Sequence, residues 1–369
     1  MADIGKLQNI KVAGFKSIKK VDFDLQPSMN LLVGSNGAGK SNFIGIFRLM
    51  NNIVEHDLQL FVGQRGKADK FLHFGAKVTD EIRIDLKFVP NSYHCTLVPT
   101  ATNGLVFKEE YARFYPGEIE YQGGIKRFPL AKAGAEETGL PRYSAGRPSI
   151  ADRVAQHFRG WHIYHFHDTS DTAHVKKSGR ITDARELRAD AVNLAAYLRR
   201  IRQTHPDAYD ELVATVQRVA PFFHDFILEP SPLDPSEISL QWKHRGTDAF
   251  FDASDLSDGT LRFICLATLL LQPVLPTTIL LDEPELGLHP YAIQLLAGLM
   301  RSAASRTQII AATQSITLAN QFSYEDLIVV DREDNASVFR RLTESEVAAW
   351  LDDYGMGDIW QKNLIGGTP

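Results

Sequence analysis

Two short stretches carry residue types whose spacing points to phosphate chemistry. Gly34-Ser35-Asn36-Gly37-Ala38-Gly39-Lys40-Ser41 has the GxxxxGKS form of a Walker A loop. Its glycines let the backbone N–H groups of Asn36, Gly37, Ala38 and Gly39 point inward at a β-phosphate. Lys40 reaches the β/γ oxygens and the Ser41 hydroxyl binds Mg²⁺. A helix starting at Lys40 adds the positive end of its dipole. The second stretch, Thr278-Ile279-Leu280-Leu281-Asp282-Glu283-Pro284-Glu285, is a short apolar run ending in an acidic pair. It reads as a buried parallel strand that delivers carboxylates to its C-terminal edge. Asp282 would hold Mg²⁺ through water, and Glu283 would polarise the attacking water as general base. The cofactors implied are ATP and Mg²⁺. Taken alone, each stretch could be an ordinary glycine turn or an acidic turn; a Walker A loop upstream of the acidic pair favours the chemical reading.

A third stretch, Leu256-Ser257-Asp258-Gly259-Thr260-Leu261-Arg262, precedes an apolar helix over 263–271. Ser257 is a natural N-cap and Gly259 allows close backbone approach, which makes a second anion site. One γ-phosphate does not need two helix N-termini from one chain. The economical arrangement is a dimer in which each Ser257 caps the partner's nucleotide, as ATP-binding-cassette signature motifs do. The plainer reading is a capped helix after a turn.

The elements that must position these groups are legible in outline. Residues 10–15 and 21–25 alternate like strands, and the apolar run 29–33 leads into the Walker A loop. Phe43, Ile46, Phe47 and Met50 then recur at helical spacing. Strands are expected at 81–89, 93–98 and 104–114, loops over 116–149, and helix over 186–220 with a second start at Pro206. Strands resume at 223–228 and 238–244. No fixed-period repeat or heptad run exists, so a long coiled-coil arm is excluded.

Composition sets the outer limits. A chain of 369 residues fits two to three domains, or one large domain with an insertion. Lys plus Arg total 40 against 45 Asp plus Glu, a net charge of −5, which excludes a globally basic nucleic-acid coat. Cys95 and Cys265 are too few for a disulfide framework and read as free thiols in a reducing cytosol. The start lacks a secretory signal, and the most hydrophobic stretch, 263–281, is broken by Gln272, Pro273, Pro276, Thr277 and Thr278. A cytoplasmic protein with no membrane partner is expected. Charge is uneven: residues 142–202 hold twelve Lys/Arg against six Asp/Glu, and 322–369 hold four against ten. The first stretch, with Arg199, Arg200 and Arg202 on a helix, is a candidate polyanion face; the alternative is a solvated face.

The order FKSIKKVDFDL, GSNGAGKS, LSDGTLRF, ILLDEPELGLHP and IIAATQS resembles the RecF/SMC-like ATP-binding-cassette ATPases. Within them it resembles stand-alone bacterial ATPases related to the ATPase parts of OLD-type nucleases and Septu-type antiphage systems. The resemblance spans nearly the whole chain, including FHDTSDTAHV, VAPFFHDFILEP and KNLIGG. It implies an α/β P-loop NTPase with an ABC-type head, a mixed β-sheet and antiparallel N-terminal strands, and an inserted, largely helical lid or arm. The head is expected over 1–130 and 222–369, with the insertion over 131–221. The resemblance further implies a homodimer or higher assembly with composite sites, and places Lys16 and Ser17 near the nucleotide.

Three departures stand out. Asp258 puts a carboxylate where the transporter signature has glycine, which would slow turnover. Gln314 occupies the switch position after the 309–312 strand, where many relatives have His; it can hydrogen-bond a γ-phosphate but carries no charge. The chain stops at Pro369, so a nuclease would be a separate subunit. Gln64 is the one Q-loop candidate. His157, His162, His165, His167 and His174 cluster around an aromatic, strand-like stretch and read as structural, as does His289 in the turn after the acidic strand. The reading is an ATPase of slow turnover linked to DNA or antiphage defence through a separate effector such as a nuclease, with DNA as a further partner. The rivals are a transporter nucleotide-binding subunit and a nucleotide-sensing scaffold with little hydrolysis.

Overall fold

Period-two alternation makes β1 (Asn9–Phe15) and β2 (Ile18–Asp24) an antiparallel pair with one buried face. The computed structural model describes residues 6–114, 126–143, 148–351 and 353–367. β3 (Met29–Val33) is buried at all five positions and runs into the Walker A loop, followed by α1 (Lys40–Val54) and α2 (Leu58–Gln64). β4 (Ile82–Phe88), β5 (Asn91–Pro99), β6 (Leu105–Phe114) and β7 (Lys126–Pro129) complete an antiparallel sheet in the order β2-β1-β4-β5-β6-β7. Then come α3 (Ile150–Arg159), capped by Ser149, and β8 (Trp161–Tyr164). The middle of the chain holds β9 (Gly179–Arg180), α4 (Leu194–Thr204), α5 (Pro206–Val219), β10 (Phe223–Ile227), β11 (Glu237–Ile238), β12 (Gln241–His244) and β13 (Phe250–Asp252). The last third holds α6 (Asp258–Leu271), β14 (Thr278–Asp282), α7 (Pro290–Ala304), β15 (Gln308–Thr313) and α8 (Ile316–Ala319). It ends with β16 (Leu327–Glu333), β17 (Ala336–Arg341), α9 (Glu344–Val347) and α10 (Met356–Gln361).

The central sheet has the order β17-β16-β3-β15-β14-β8, parallel throughout except for β17. Alternation along its strands splits two cores. Leu31, Val33, Ile279, Leu281, Ile309 and Ala311 face the side covered by α4 to α7. Leu32, Leu280, Ile310 and Ala312 face α1, α3 and the antiparallel sheet. Both faces are covered, which is why β3, β14 and β15 read as continuous apolar runs. The C-terminal ends of β3, β14 and β15 therefore bring the Walker A loop, the acidic pair and Gln314 to one edge.

Four expectations need correction. Residues 126–129 are β7, paired with Tyr111–Phe114, and not loop; a four-residue edge strand ending in Pro129 carries almost no periodic signal. Of the rest of that stretch, 116–125 and 144–147 lie outside the described residues, and 130–143 holds no named helix or strand. The stretch 131–221 is not an appendage throughout: Trp161–Tyr164 pairs with Thr278–Leu281 and closes the central sheet. Its helices α4 and α5 share one core with α6 and α7. The helix expected from 186 begins at Leu194 because Asn193 holds the preceding turn. Its side chain donates to the Asp183 and Glu186 carbonyls, both at 2.8 Å, and accepts from the Arg188 N–H at 2.9 Å. Finally, 238–244 is two strands: β11 pairs with β9, while β12 pairs with β10 and β13. Pro206 does begin α5. Cys95 and Cys265 are free and buried. Among the described residues, no helix is long and apolar enough to cross a membrane.

Candidate functional site

The loop from Gly34 to Gly39 wraps the N-terminus of α1, whose first N–H groups have no intrahelical partner and so face outward for an anion. Asn36 and Gly37 are exposed at its crest, and Ala38 is buried. Gly39 has φ +118°, and a Cβ there would stand 2.0 Å from Ser337 Oγ, so this position tolerates no side chain. The buried Lys40 ammonium donates to the carbonyls of Gly34 at 2.6 Å and Ser35 at 3.0 Å. Burial lowers its pKa, and the nearby Glu283, Asp282 and Glu285 oppose that shift.

A second layer braces the loop. Ser337 Oγ lies 2.5 Å from the Ala38 carbonyl and 2.7 Å from Ser17 Oγ, and Asn42 Nδ2 donates to Ser17 Oγ at 2.7 Å. A carbonyl can only accept, so the Ser337 proton goes to Ala38 and the Ser17 hydroxyl donates to Ser337. Ser17 is thus beside the loop. Ser337, from β17, carried no signal in the sequence.

Asp282 ends β14, and its Oδ1 accepts from Ser41 Oγ at 3.3 Å. This pairs a hydroxyl with a carboxylate, the hard oxygen donors Mg²⁺ takes alongside phosphates and water. Among the described residues no group of three His, Cys, Asp or Glu side chains could hold a metal ion. Glu283 follows at φ +45°, a left-handed conformation that a non-glycine residue adopts only when its surroundings fix it. Its N–H donates to the Ala312 carbonyl at 2.8 Å, tying the turn to β15. Glu285 is buried; the Thr313 hydroxyl donates to its Oε1 at 2.5 Å, and the Gln314 N–H also donates to it. Among the described residues its Oε2 has no partner, and burial raises its pKa. Glu285 therefore anchors the turn that carries Gln314 at the end of β15.

Gln64 is exposed at the end of α2. The side chains that stand beside Asp282 are instead His165 and His167. His167 Nε2 lies 2.8 Å from the Asp282 carbonyl, which fixes the proton on Nε2. His165 Nε2 receives the Arg48 guanidinium, which only donates, so His165 is neutral with its proton on Nδ1. Burial first, then Arg48, pushes its pKa down to about 4. These histidines bear on the site through their contacts with Asp282 and Arg48. His289 caps α7, its Nδ1 accepting from the Tyr291 N–H at 3.3 Å.

The signature stretch sits apart from the Walker A loop. Exposed Ser257 caps α6, its Oγ accepting from the Thr260 N–H at 3.2 Å. Among the described residues it makes no hydrogen bond with Lys40 or Ser41. Gly259 packs close to this chain's own Gly287 carbonyl, which a Cβ would meet at 2.5 Å. Asp258 lies 3.9 Å from Lys176, which offsets its charge. Arg262 does more than the sequence suggested. Buried in α6, it donates to the Phe166 and His167 carbonyls, both at 2.9 Å, and to Leu286. It thereby ties the signature helix to the His167 segment and the turn after Glu283; each charge-assisted bond contributes about 1.5–3 kcal/mol.

Beyond Asn42 a cavity of about 500 Å³ opens along α1, lined by Lys16, Asn42, Gly45, Arg48, Phe61, Arg65, Gly66, Lys70 and Phe71. Four of these residues are cations and none is a carboxylate. Burial and the repulsion of Arg48 and Arg65 lower the pKa of Lys16. Half-buried like charges of this kind favour an anionic ligand. Lys16 lines this cavity.

The basic stretch is largely engaged within the chain. Arg199 donates to the Leu228 carbonyl at 2.7 Å, and Arg202 pairs with Glu229 at 3.0 Å. Arg200 donates to the carbonyls of Ala184 and Arg185, both at 2.9 Å. Arg188 pairs with Asp183. The expected polyanion face on this helix is therefore replaced by internal bracing.

Residues 96–320 match the family described as "AAA domain, putative AbiEii toxin, Type IV TA system", and residues 6–158 match that described as "AAA ATPase domain". Among curated proteins no sequence matches. The crystal structure of an SmcHead bound to the C-winged helix domain of ScpA is similar with TM-score 0.55 and 15% identity, covering 93% of this chain and 99% of that one. An Smc head with an extended coiled coil, bound to the C-terminal domain of ScpA, derived from Pyrococcus furiosus, gives 0.55 and 14%, covering 94% and 99%. An Smc head with a coiled coil and joint from Pyrococcus yayanosii gives 0.52 and 12%, covering 94% and 99%. At these identities the likeness is one of fold.

Proposed function

This chain belongs to the AAA-domain family matched over residues 96–320 and is a RecF/SMC-like ABC-type ATPase; from that premise we propose that it closes as a homodimer on Mg·ATP and hydrolyses it at composite sites. The observation that carries this reading is the meeting of Ser41 and Asp282 at 3.3 Å, with Glu283 held at positive φ in the next position. Lys40 and the N-terminus of α1 would bind the β- and γ-phosphates. The α-phosphate and nucleoside would continue past Asn42 into the cavity of Lys16, Arg48 and Arg65. Mg²⁺, when bound by Ser41 and Asp282, neutralises charge on the β- and γ-oxygens. Glu283 would take the proton of the water that attacks the γ-phosphorus, while Gln314 hydrogen-bonds the same phosphate or water.

The separation of Ser257 from the Walker A loop supports a site completed by a second copy. The family description names a toxin–antitoxin system, which favours a defence- or DNA-linked partner over a permease. A separate effector, such as a nuclease, and DNA are the partners that fit this reading. Phosphate release and molar mass by light scattering, with ATP and either Mg²⁺ or EDTA, test it together. Phosphate release that requires Mg²⁺, and a monomer-to-dimer shift with ATP, are expected. A mass shift without phosphate would mark a nucleotide-sensing scaffold, and neither response would reject the proposal.

A further inference from the structure

The sheet β10-β12-β13 carries a feature that the nucleotide site does not use. Where β12 turns back into β13, a cavity of about 680 Å³ is lined by Gln217 of α5, His224 of β10, and Lys243, His244, Arg245 and Asp248 of the hairpin, among others. Among the described residues, neither Lys243 nor Arg245 forms an ion pair, and Asp248 is the one carboxylate lining the cavity. Large aromatic rings flank it. Phe250 is 63% exposed with the Lys243 ammonium 5.5 Å from its ring centroid, and Phe222 is 38% exposed. Phe222 stacks on His244 at 5.6 Å and 17°. Buried Trp242 packs against Phe222 and Phe251 and holds the Phe222–His244 stack in place, while Lys243 and Phe250, the next cross-strand pair, lie on the other face of the hairpin.

Folding gains nothing from leaving two phenylalanine rings in water beside two unpaired cations. The combination matches a ligand that is both anionic and aromatic. Cations take phosphates, and open ring faces stack on bases. A duplex hides its base faces, so the rings select an unpaired strand. An acidic peptide would meet the cations but leave the rings without a stacking partner. We propose that the β12–β13 hairpin and its cavity bind single-stranded nucleic acid that passes over the end of the hairpin, with phosphates on Lys243 and Arg245, one base on Phe250 and another on the Phe222–His244 stack of the opposite face. The site shares no residue with the Walker A loop and goes beyond the ATPase reading. It lies on the strand that leads, through residues 253–255, into the Ser257 cap.

Fluorescence anisotropy of a labelled oligo-dT of about 20 nucleotides tests this at low and moderate salt. Tight binding that weakens with salt is expected. Lys243→Gln with Arg245→Gln should weaken it about tenfold and lower the salt slope by roughly 1.4, about 0.7 for each lost phosphate contact. Phe250→Ala should weaken it about tenfold with the slope unchanged. Unchanged nucleotide binding by each variant verifies its fold and separates this site from the ATPase reading. The proposal is overturned if the oligonucleotide does not bind, if the variants bind like the wild type, or if a poly-Glu peptide or a duplex of equal length competes equally.

Discussion

Glu283→Gln should bind ATP as the wild type does and lose turnover by about 10²–10⁴-fold, the usual contribution of a positioned general base. The amide fits the same turn, whose backbone is fixed by the Glu283 N–H bond to Ala312, but it cannot take a proton from water. Because hydrolysis reopens the dimer in this account, the variant should accumulate as an ATP-bound dimer. Single-turnover phosphate release and molar mass in the same sample measure both effects. Wild-type turnover would remove Glu283 from the role of base. Glu285 is a poor replacement: it is buried, its pKa is raised, and Thr313 engages it.

Lys40→Ala should lose nucleotide affinity instead. A charge-assisted bond to phosphate contributes about 1.5–3 kcal/mol, so the dissociation constant should rise roughly 10–100-fold. Lys16 and Arg48 line the adjoining cavity, but Lys40 is the ammonium seated on the Gly34 and Ser35 carbonyls, where the β- and γ-phosphates would lie. Losing those two bonds also loosens the empty loop, so thermal stability should fall modestly. Equal ATP affinity by titration calorimetry would show that the loop is not the phosphate site.

The residues of this site were legible where chemistry is local in sequence. The Walker A loop, the acidic pair and the capped helix each compress a strand, a turn and a helix start into eight or fewer residues, and the structure places β3, α1, β14 and α6 accordingly. What escaped was carried by single residues from distant elements. Ser337 braces the loop from β17, Arg262 reaches three carbonyls from α6, and Arg48 meets His165 across 117 positions. None has a periodic or compositional signature. β8 escaped as a sheet member because four residues at an edge cannot display a period. The charge of 142–202 misled for a related reason: composition counts arginines but does not say which carbonyls and carboxylates they meet.

The central claim is that one chain's Walker A loop works with another chain's Ser257. Lys40→Ala and Ser257→Arg should each be inactive as pure proteins, the second at a stability cost of only about 1 kcal/mol for the lost cap. Mixed in equal amounts, they form heterodimers in which one interface pairs an intact loop with an intact Ser257. The decisive measurement is phosphate release by that mixture, with heterodimers verified by differential tags. Recovery of roughly a quarter of wild-type activity is predicted from random pairing with one good site per heterodimer. Heterodimers that form and release no phosphate would contradict the account and leave Ser257 as a helix cap alone.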